Sequence, residues 1–260
     1  MTGDKAFQRL IKSIGRDVVH IKVGKDLQDF GVHRGLICHY SPYFKAAFTS
    51  GFAETNSGVM KLPDVKVEVF ELFFHWLYTQ QINKPCSDLS PSNSGEDSSA
   101  ARSKPDMRSR IRAILELYIF ADMVQVSTIK NNCIKVYSEM SVLEKECLVE
   151  LPNQRYIWEH TTENDLIRKF MVDLTIWDVP GPSFVEFSGQ FAGILAVELN
   201  FAMRKIIDDA RAEAEEQSKR PRKAKGLASL VSPLEDLTKY YQKVKDEEGK
   251  MIDWLEHYQG

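Results

Sequence analysis

The stretch DVVHIKVGKDLQDFGVHRGLICHYSPYFKAAFTSGFAETNSGVMKLPDVKVEVFELFFHWLYTQQ, residues 17–81, decides the fold. Val19, Ile21 and Val23 alternate with His20 and Lys22, the period-two pattern of a strand with one buried face. Residues 24–29 are turn-rich, so Phe30 and Val32 can return as a hairpin partner. Ser41-Pro42 is a helix start: the serine hydroxyl can cap free backbone amides, and the proline sits in the first turn, where its missing N–H costs nothing. Phe44 and Phe48 then stack on one helical face. Val59 to Leu62 reads as a short strand stopped by Pro63-Asp64. From Val67 onward, Phe70, Phe73, Phe74 and Leu77 recur at helical spacing with too many aromatics to leave in water, which makes this helix core.

Two more helical stripes come later. Ile111, Ile114, Leu115, Tyr118, Ile119 and Met123 form one, and Val126, Ile129, Cys133, Ile134 and Tyr137 the other. Between them and the core helix lies KPCSDLSPSNSGEDSSAARSKPDMRSR, residues 84–110, rich in Ser, Pro and charge with almost nothing to bury. It reads as a disordered surface insertion within one domain. A linker between two domains is the weaker reading, since it would strip the 67–81 helix of its partners.

The order of these pieces, with the long apolar helix ending at Tyr78-Thr79 and the closing ELYIFADMVQVSTIKNNCIKVY, resembles a BTB/POZ domain of fungal type over residues 7–140. The resemblance implies an α+β fold, a small sheet covered by helices, followed by a mostly α-helical extension. It also implies a noncatalytic protein-interaction module. In BTB adaptors of cullin ubiquitin ligases, an apolar residue, any residue, then glutamate follows the helix after the hairpin and contacts the cullin; Phe52 and Glu54 match that pattern. Phe52 could equally fold back onto Phe48. Asp17 and Arg34 match an acidic and a basic position that line a charged pocket near the two-fold axis of dimeric members; a local salt bridge is the competing reading. His33 matches a family position with a structural role. Phe7, Leu10, Ile11 and Ile14 form an amphipathic stripe where animal relatives carry a helix packed across a homodimer axis, or else a cover for their own domain.

At 260 residues, 43% hydrophobic and 27% charged, the chain can build a proper core. A net charge of -3 and a pI near 6.1 give no reason to expect direct nucleic acid binding. The four cysteines, Cys38, Cys86, Cys133 and Cys147, form no CxxC pair and read as reduced thiols in a reducing compartment. No signal-peptide core is visible, and no uncharged apolar run approaches the ~18 residues of a membrane span. The expected location is intracellular, cytoplasmic or nuclear, with no membrane partner.

Beyond residue 140 composition alone guides the reading. Residues 141–207 are expected to form a helical extension packed on the BTB core: short helices to Trp158 with a break at Pro152-Asn153, a stripe of Leu166, Ile167, Phe170, Met171 and Leu174, a turn at 178–182, and an apolar stretch to Ile207. Residues 208–231 read as a charged linker, in which Lys219, Arg220, Arg222 and Lys223 have the spacing of a simple nuclear import signal or are simply solvated. Ser232-Pro233-Leu234-Glu235 is a capping box, which predicts a helix over 232–260 with a seam of Leu234, Leu237, Tyr241, Val244, Met251, Leu255 and Tyr258, broken by Glu248 and Gly249.

Enzymatic signatures are absent: no GxSxG, HExxH, Walker loop or GxGxxG after a strand occurs, and the six histidines have no metal-ligand spacing. The expectation is no catalytic, cofactor or metal site. Three functional readings follow: a cullin-ligase substrate adaptor, a nuclear scaffold or transcription-linked oligomerisation protein, and an enzyme with an unfamiliar site in the C-terminal half. Proteins, including a cullin and a second copy of the chain, are the expected partners.

Overall fold

The computed structural model describes residues 14–82, 107–143, 151–178, 194–218, 236–242, 244–245 and 251–252. The 84–106 part of the expected insertion, Phe7, Leu10, Ile11, Cys86, Cys147, the basic residues 219–223 and the ends of the C-terminal seam lie outside them. The chain divides into two compact units, one of residues 1–137 with 242–260, the other of residues 138–241.

The first unit is built on a three-stranded sheet of order β2-β1-β3. Strand β1 (Val18–Val23) pairs antiparallel with β2 (Gln28–His33) and parallel with β3 (Val59–Leu62). The register Val19↔Val32 and Ile21↔Met60 puts the apolar set on one face, and Val19, Ile21, Val23 and Val32 are at most 2% exposed. Gly24 turns the hairpin at φ 75°, where the left-handed backbone favours glycine, and a Cβ there would press on Val67 Cγ2 at 3.0 Å.

Helices α1 (Arg34–Tyr40), α2 (Pro42–Thr49) and α3 (Ala53–Ser57) follow. As the sequence predicts, Ser41 Oγ accepts from the Phe44 amide at 3.2 Å; it also donates to the Val124 carbonyl at 2.6 Å, so the cap fastens α2 to a segment 83 residues away. The core helix α4 (Val67–Thr79) buries Val69, Phe70, Phe73, Trp76 and Leu77, while Phe74 is half-buried against Phe30 and Tyr78. Helices α5 (Met107–Met123) and α6 (Ser127–Leu143) close the unit. Phe120 of α5 meets Phe70 at 6.0 Å and Phe73 at 5.2 Å, so the segments on either side of the polar insertion pack together. The insertion is shorter than expected, since Met107 to Arg110 are already helical.

Charges near this core are paired. Glu116, 9% exposed, accepts from Lys66 Nζ and Arg112 Nε, both at 2.7 Å. Lys130, 3% exposed at its side chain, reaches Asp122 at 2.6 Å and lies over the Tyr118 ring. Buried Asn131 bonds the backbone of a single residue on both sides: Nδ2 donates to the Gln242 carbonyl at 2.9 Å and Oδ1 accepts from the Gln242 amide at 2.7 Å. Cys133 is fully buried, and desolvation pushes its thiol far above the ordinary range. Its alkylation by iodoacetamide at pH 8, mapped by mass spectrometry, is therefore expected to be at least about a hundredfold slower than in urea, and comparable rates would refute the buried placement.

The second unit contains α7 (Leu151–His160), α8 (Leu166–Asp178), α9 (Ile194–Ser218) and a 3-10 turn at Thr238–Tyr240; its boundary with the first falls inside α6. Ile157, Ile167, Phe170, Leu174 and Leu199 are buried in it. Three expectations need correction. Pro152 does not break the chain but sits in the first turn of α7, where proline is tolerated. The charged stretch from Asp208 is not linker up to Ser218, because DDARAEAEEQS continues α9: alanine and glutamate favour helix, and Arg204 and Asp208 pair at i,i+4.

The helix predicted over 232–260 is also absent among the described residues. The 3-10 turn is followed by an antiparallel pair, β4 (Val244–Lys245) with β5 (Met251–Ile252), joined by Asp-Glu-Glu-Gly-Lys.

Candidate protein-binding surface

The stretch from α2 to β3 carries the first candidate. Gly51 takes φ 80°, the left-handed region, and turns the chain out of α2. Thr55 then staples the turn: its hydroxyl donates to the Ala47 carbonyl at 3.0 Å and accepts from the Gly51 amide at 3.1 Å. Phe52, the N-cap residue of α3, is thereby held outward at 59% exposure, while Phe48 is wholly buried. The alternative in which Phe52 folds back onto Phe48 is not what the chain adopts. Glu54 follows in the first turn of α3, where a carboxylate suits the helix N-terminus. An exposed aromatic beside a carboxylate, on a loop fixed by side-chain hydrogen bonds, is a preorganised anchor with an acidic rim.

Asp17 and Arg34 are brought together as a pair within the chain. Arg34 Nη1 donates to Asp17 Oδ2 at 3.1 Å, Nη2 donates to the Phe48 carbonyl, and the Arg34 amide donates to the Asp17 carbonyl at 2.8 Å. Arg34 thus pins the hairpin exit to the end of α2, and with Asp17 66% exposed the ion pair itself contributes little. His33 stands as its family position implies: Tyr78 Oη lies 2.9 Å from Nδ1 and accepts from the His33 amide at 3.3 Å.

Sequence reasoning missed two buried groups that organise the second unit. Arg168, 4% exposed, donates through Nε to the Thr161 hydroxyl at 2.8 Å and through Nη2 to the Trp158 carbonyl at 2.7 Å and to the Thr161 carbonyl. Its Nη1 reaches Glu198 at 3.3 Å, and its guanidinium lies over the Trp158 ring. Tyr240 is the other: wholly buried, it donates from its hydroxyl to Asp173 at 2.8 Å. A lone Arg inside an apolar stripe and a Tyr in a polar tail give no sequence signal.

No three His, Cys, Asp or Glu side chains among the described residues are placed to hold a metal ion, and no helix among them is long and apolar enough to cross a membrane.

A three-stranded sheet with both parallel and antiparallel pairing, accompanied by helices and a protruding loop after α2, defines an α+β fold of the BTB type. Residues 17–141 match the family model described as BTB/POZ domain. Over 65 residues it is 37% identical to Kelch-like ECH-associated protein 1A of Danio rerio, covering 25% of this chain and 11% of that protein. It is similarly 32% identical over 65 residues to Kelch repeat and BTB domain-containing protein 8 of Homo sapiens, covering 25% of this chain and 10% of that protein. The chain thus matches about a tenth of the length of these relatives. The solved BTB domain of human Gigaxonin is similar at 13% identity and a TM-score of 0.30, covering 52% of this chain and 86% of that one.

Proposed function

We propose that this chain is a noncatalytic interaction module that serves as a substrate adaptor for a cullin-type ubiquitin ligase, with Phe52 and Glu54 as the ligase contact. The observation that supports this reading is the outward Phe52, held on a loop whose geometry is fixed by Gly51 and Thr55. Leaving a phenylalanine in water costs the free chain what burial would return, so the side chain is poised to gain by entering an apolar groove. Glu54, one helical turn's start away, supplies charge complementarity and register at the rim.

The test is recovery of a cullin with the tagged chain from extract of its own cells. Phe52→Ala combined with Glu54→Lys is expected to reduce recovery at least about thirtyfold, the effect of a central anchor worth about 2 kcal/mol or more. Undiminished recovery by the double variant removes this loop as the contact. Because Phe52 is 59% exposed, the variant's circular dichroism should match that of the wild type.

A further inference from the structure

The segment Asp236 to Gln242 has one feature that its sequence environment does not explain. Asp236, Thr238 and Lys239 face solvent, yet Tyr240, next along the chain, is wholly buried. Its ring meets Phe170 edge-on at 4.8 Å and 65°, and its hydroxyl donates to Asp173 Oδ2 at 2.8 Å. Phe170 and Asp173 are neighbours at i,i+3 on α8, so a single helical face supplies both the apolar wall and the hydrogen-bond acceptor.

The turn that presents the tyrosine holds itself together. Asp236 Oδ1 accepts from the Thr238 amide at 2.9 Å and from its hydroxyl at 2.5 Å, the Tyr240 amide donates to the Leu237 carbonyl at 3.0 Å, and Lys239 Nζ lies over the Tyr240 ring. A short turn that keeps its own shape and buries one aromatic knob in a socket 67 residues away along the chain is the arrangement of a peptide ligand in its site.

We propose that α8 carries a tyrosine socket, built from Phe170 and Asp173, which the chain's own 236–241 segment fills in cis and which a target protein enters with a tyrosine displayed on a comparable short turn. The socket chemistry sets the ligand class. The half-buried carboxylate of Asp173 accepts a hydroxyl here, so a phenylalanine would forgo that hydrogen bond, and a phosphotyrosine would bring a second negative charge against it. The resident segment competes by tethering, which gives it an effective concentration in the millimolar range, and a target must exceed that or meet a chain whose segment is released. This inference rests on the reading of the chain as an interaction module and names how a target would be held. Its test uses no cullin, so either can fail alone.

The experiment is fluorescence anisotropy with a labelled peptide of residues 236–242, DLTKYYQ, added to the full-length chain. Tyr240→Ala empties the socket, and the peptide should then bind saturably, at least about tenfold more tightly than to the wild type. The same peptide with phenylalanine or phosphotyrosine at the Tyr240 position should bind that variant at least about tenfold more weakly. Equal affinity for wild type and variant, no saturable binding to the variant, or indifference to the hydroxyl overturns the proposal. If Tyr240→Ala unfolds the unit, as seen by circular dichroism, the wild-type chain supplies the second measurement. Excess unlabelled peptide should accelerate hydrogen exchange at the Tyr240 and Tyr241 amides, which are protected by the Leu237 and Thr238 carbonyls. Unchanged exchange also overturns it.

Discussion

Phe73→Ala is expected to lower the stability of the first unit by about 3–5 kcal/mol, the usual cost of removing a fully buried phenylalanine. The side chain is where three elements meet: its ring lies 6.0 Å from Phe44 of α2, 5.6 Å from Phe70 of α4 and 5.2 Å from Phe120 of α5. No exposed neighbour can fill the void, since Phe44, Phe48, Phe70 and Trp76 are all 0% exposed and already close-packed. Phe73→Leu keeps most of the volume and should cost about 1.5 kcal/mol or less. Hydrogen exchange resolved by peptide, at residues 59–79, measures the effect on this unit separately, because a chain with two compact units has no single unfolding free energy. A loss below about 1 kcal/mol for Phe73→Ala would mean the helices flanking the polar insertion are not held by this aromatic cluster.

The second large effect belongs to the other unit. Arg168→Leu is expected to destabilise it by about 3–5 kcal/mol, even though leucine suits a buried apolar stripe, because the guanidinium is the partner of groups that stay behind. The Trp158 and Thr161 carbonyls sit at and just beyond the C-terminal end of α7, where helices leave acceptors unsatisfied, and Arg168 satisfies both. Glu198 would also lose its cation. Glu198→Gln, at a position 23% exposed, should cost less than about 1 kcal/mol, which separates the capping role from the ion pair. Faster exchange in residues 151–178 upon Arg168→Leu but not Glu198→Gln checks this. Equal effects would assign the stabilisation to the charge pair instead.

The first unit was largely legible in the sequence because its signals are local. Val19, Ile21 and Val23 alternate, Ser41-Pro42 is a start signal, and the aromatics of 67–77 recur every three or four residues; burial follows directly from each pattern. Trp76 escaped the stripe yet is fully buried, since a helix packed on several sides buries more than one face. The C-terminal region misled for the opposite reason. Leu237, Tyr241, Val244 and Met251 fall at three and four steps by spacing alone, whereas the fold pairs Val244–Lys245 with Met251–Ile252 as antiparallel strands. The contacts that organise this region, Tyr240 to Asp173 and Gln242 to Asn131, join positions 67 and 111 residues apart, and no window of sequence encodes them. For the candidate surface, the sequence named Phe52 and Glu54, but only the Thr55 hydrogen bonds decide that the aromatic points outward.

The side-chain amide of Asn131 bonds the backbone N–H and C=O of Gln242, a pair of groups that every residue but proline carries. Position 242 can therefore drift through almost any residue that retains its N–H, proline alone being barred, while position 131 admits neither the shorter serine, the longer glutamine nor the acceptor-only aspartate without orphaning a buried donor or acceptor. Mutational tolerance along this contact is thus one-sided, with the whole burden of recognition resting on the helix and none on the tail it holds.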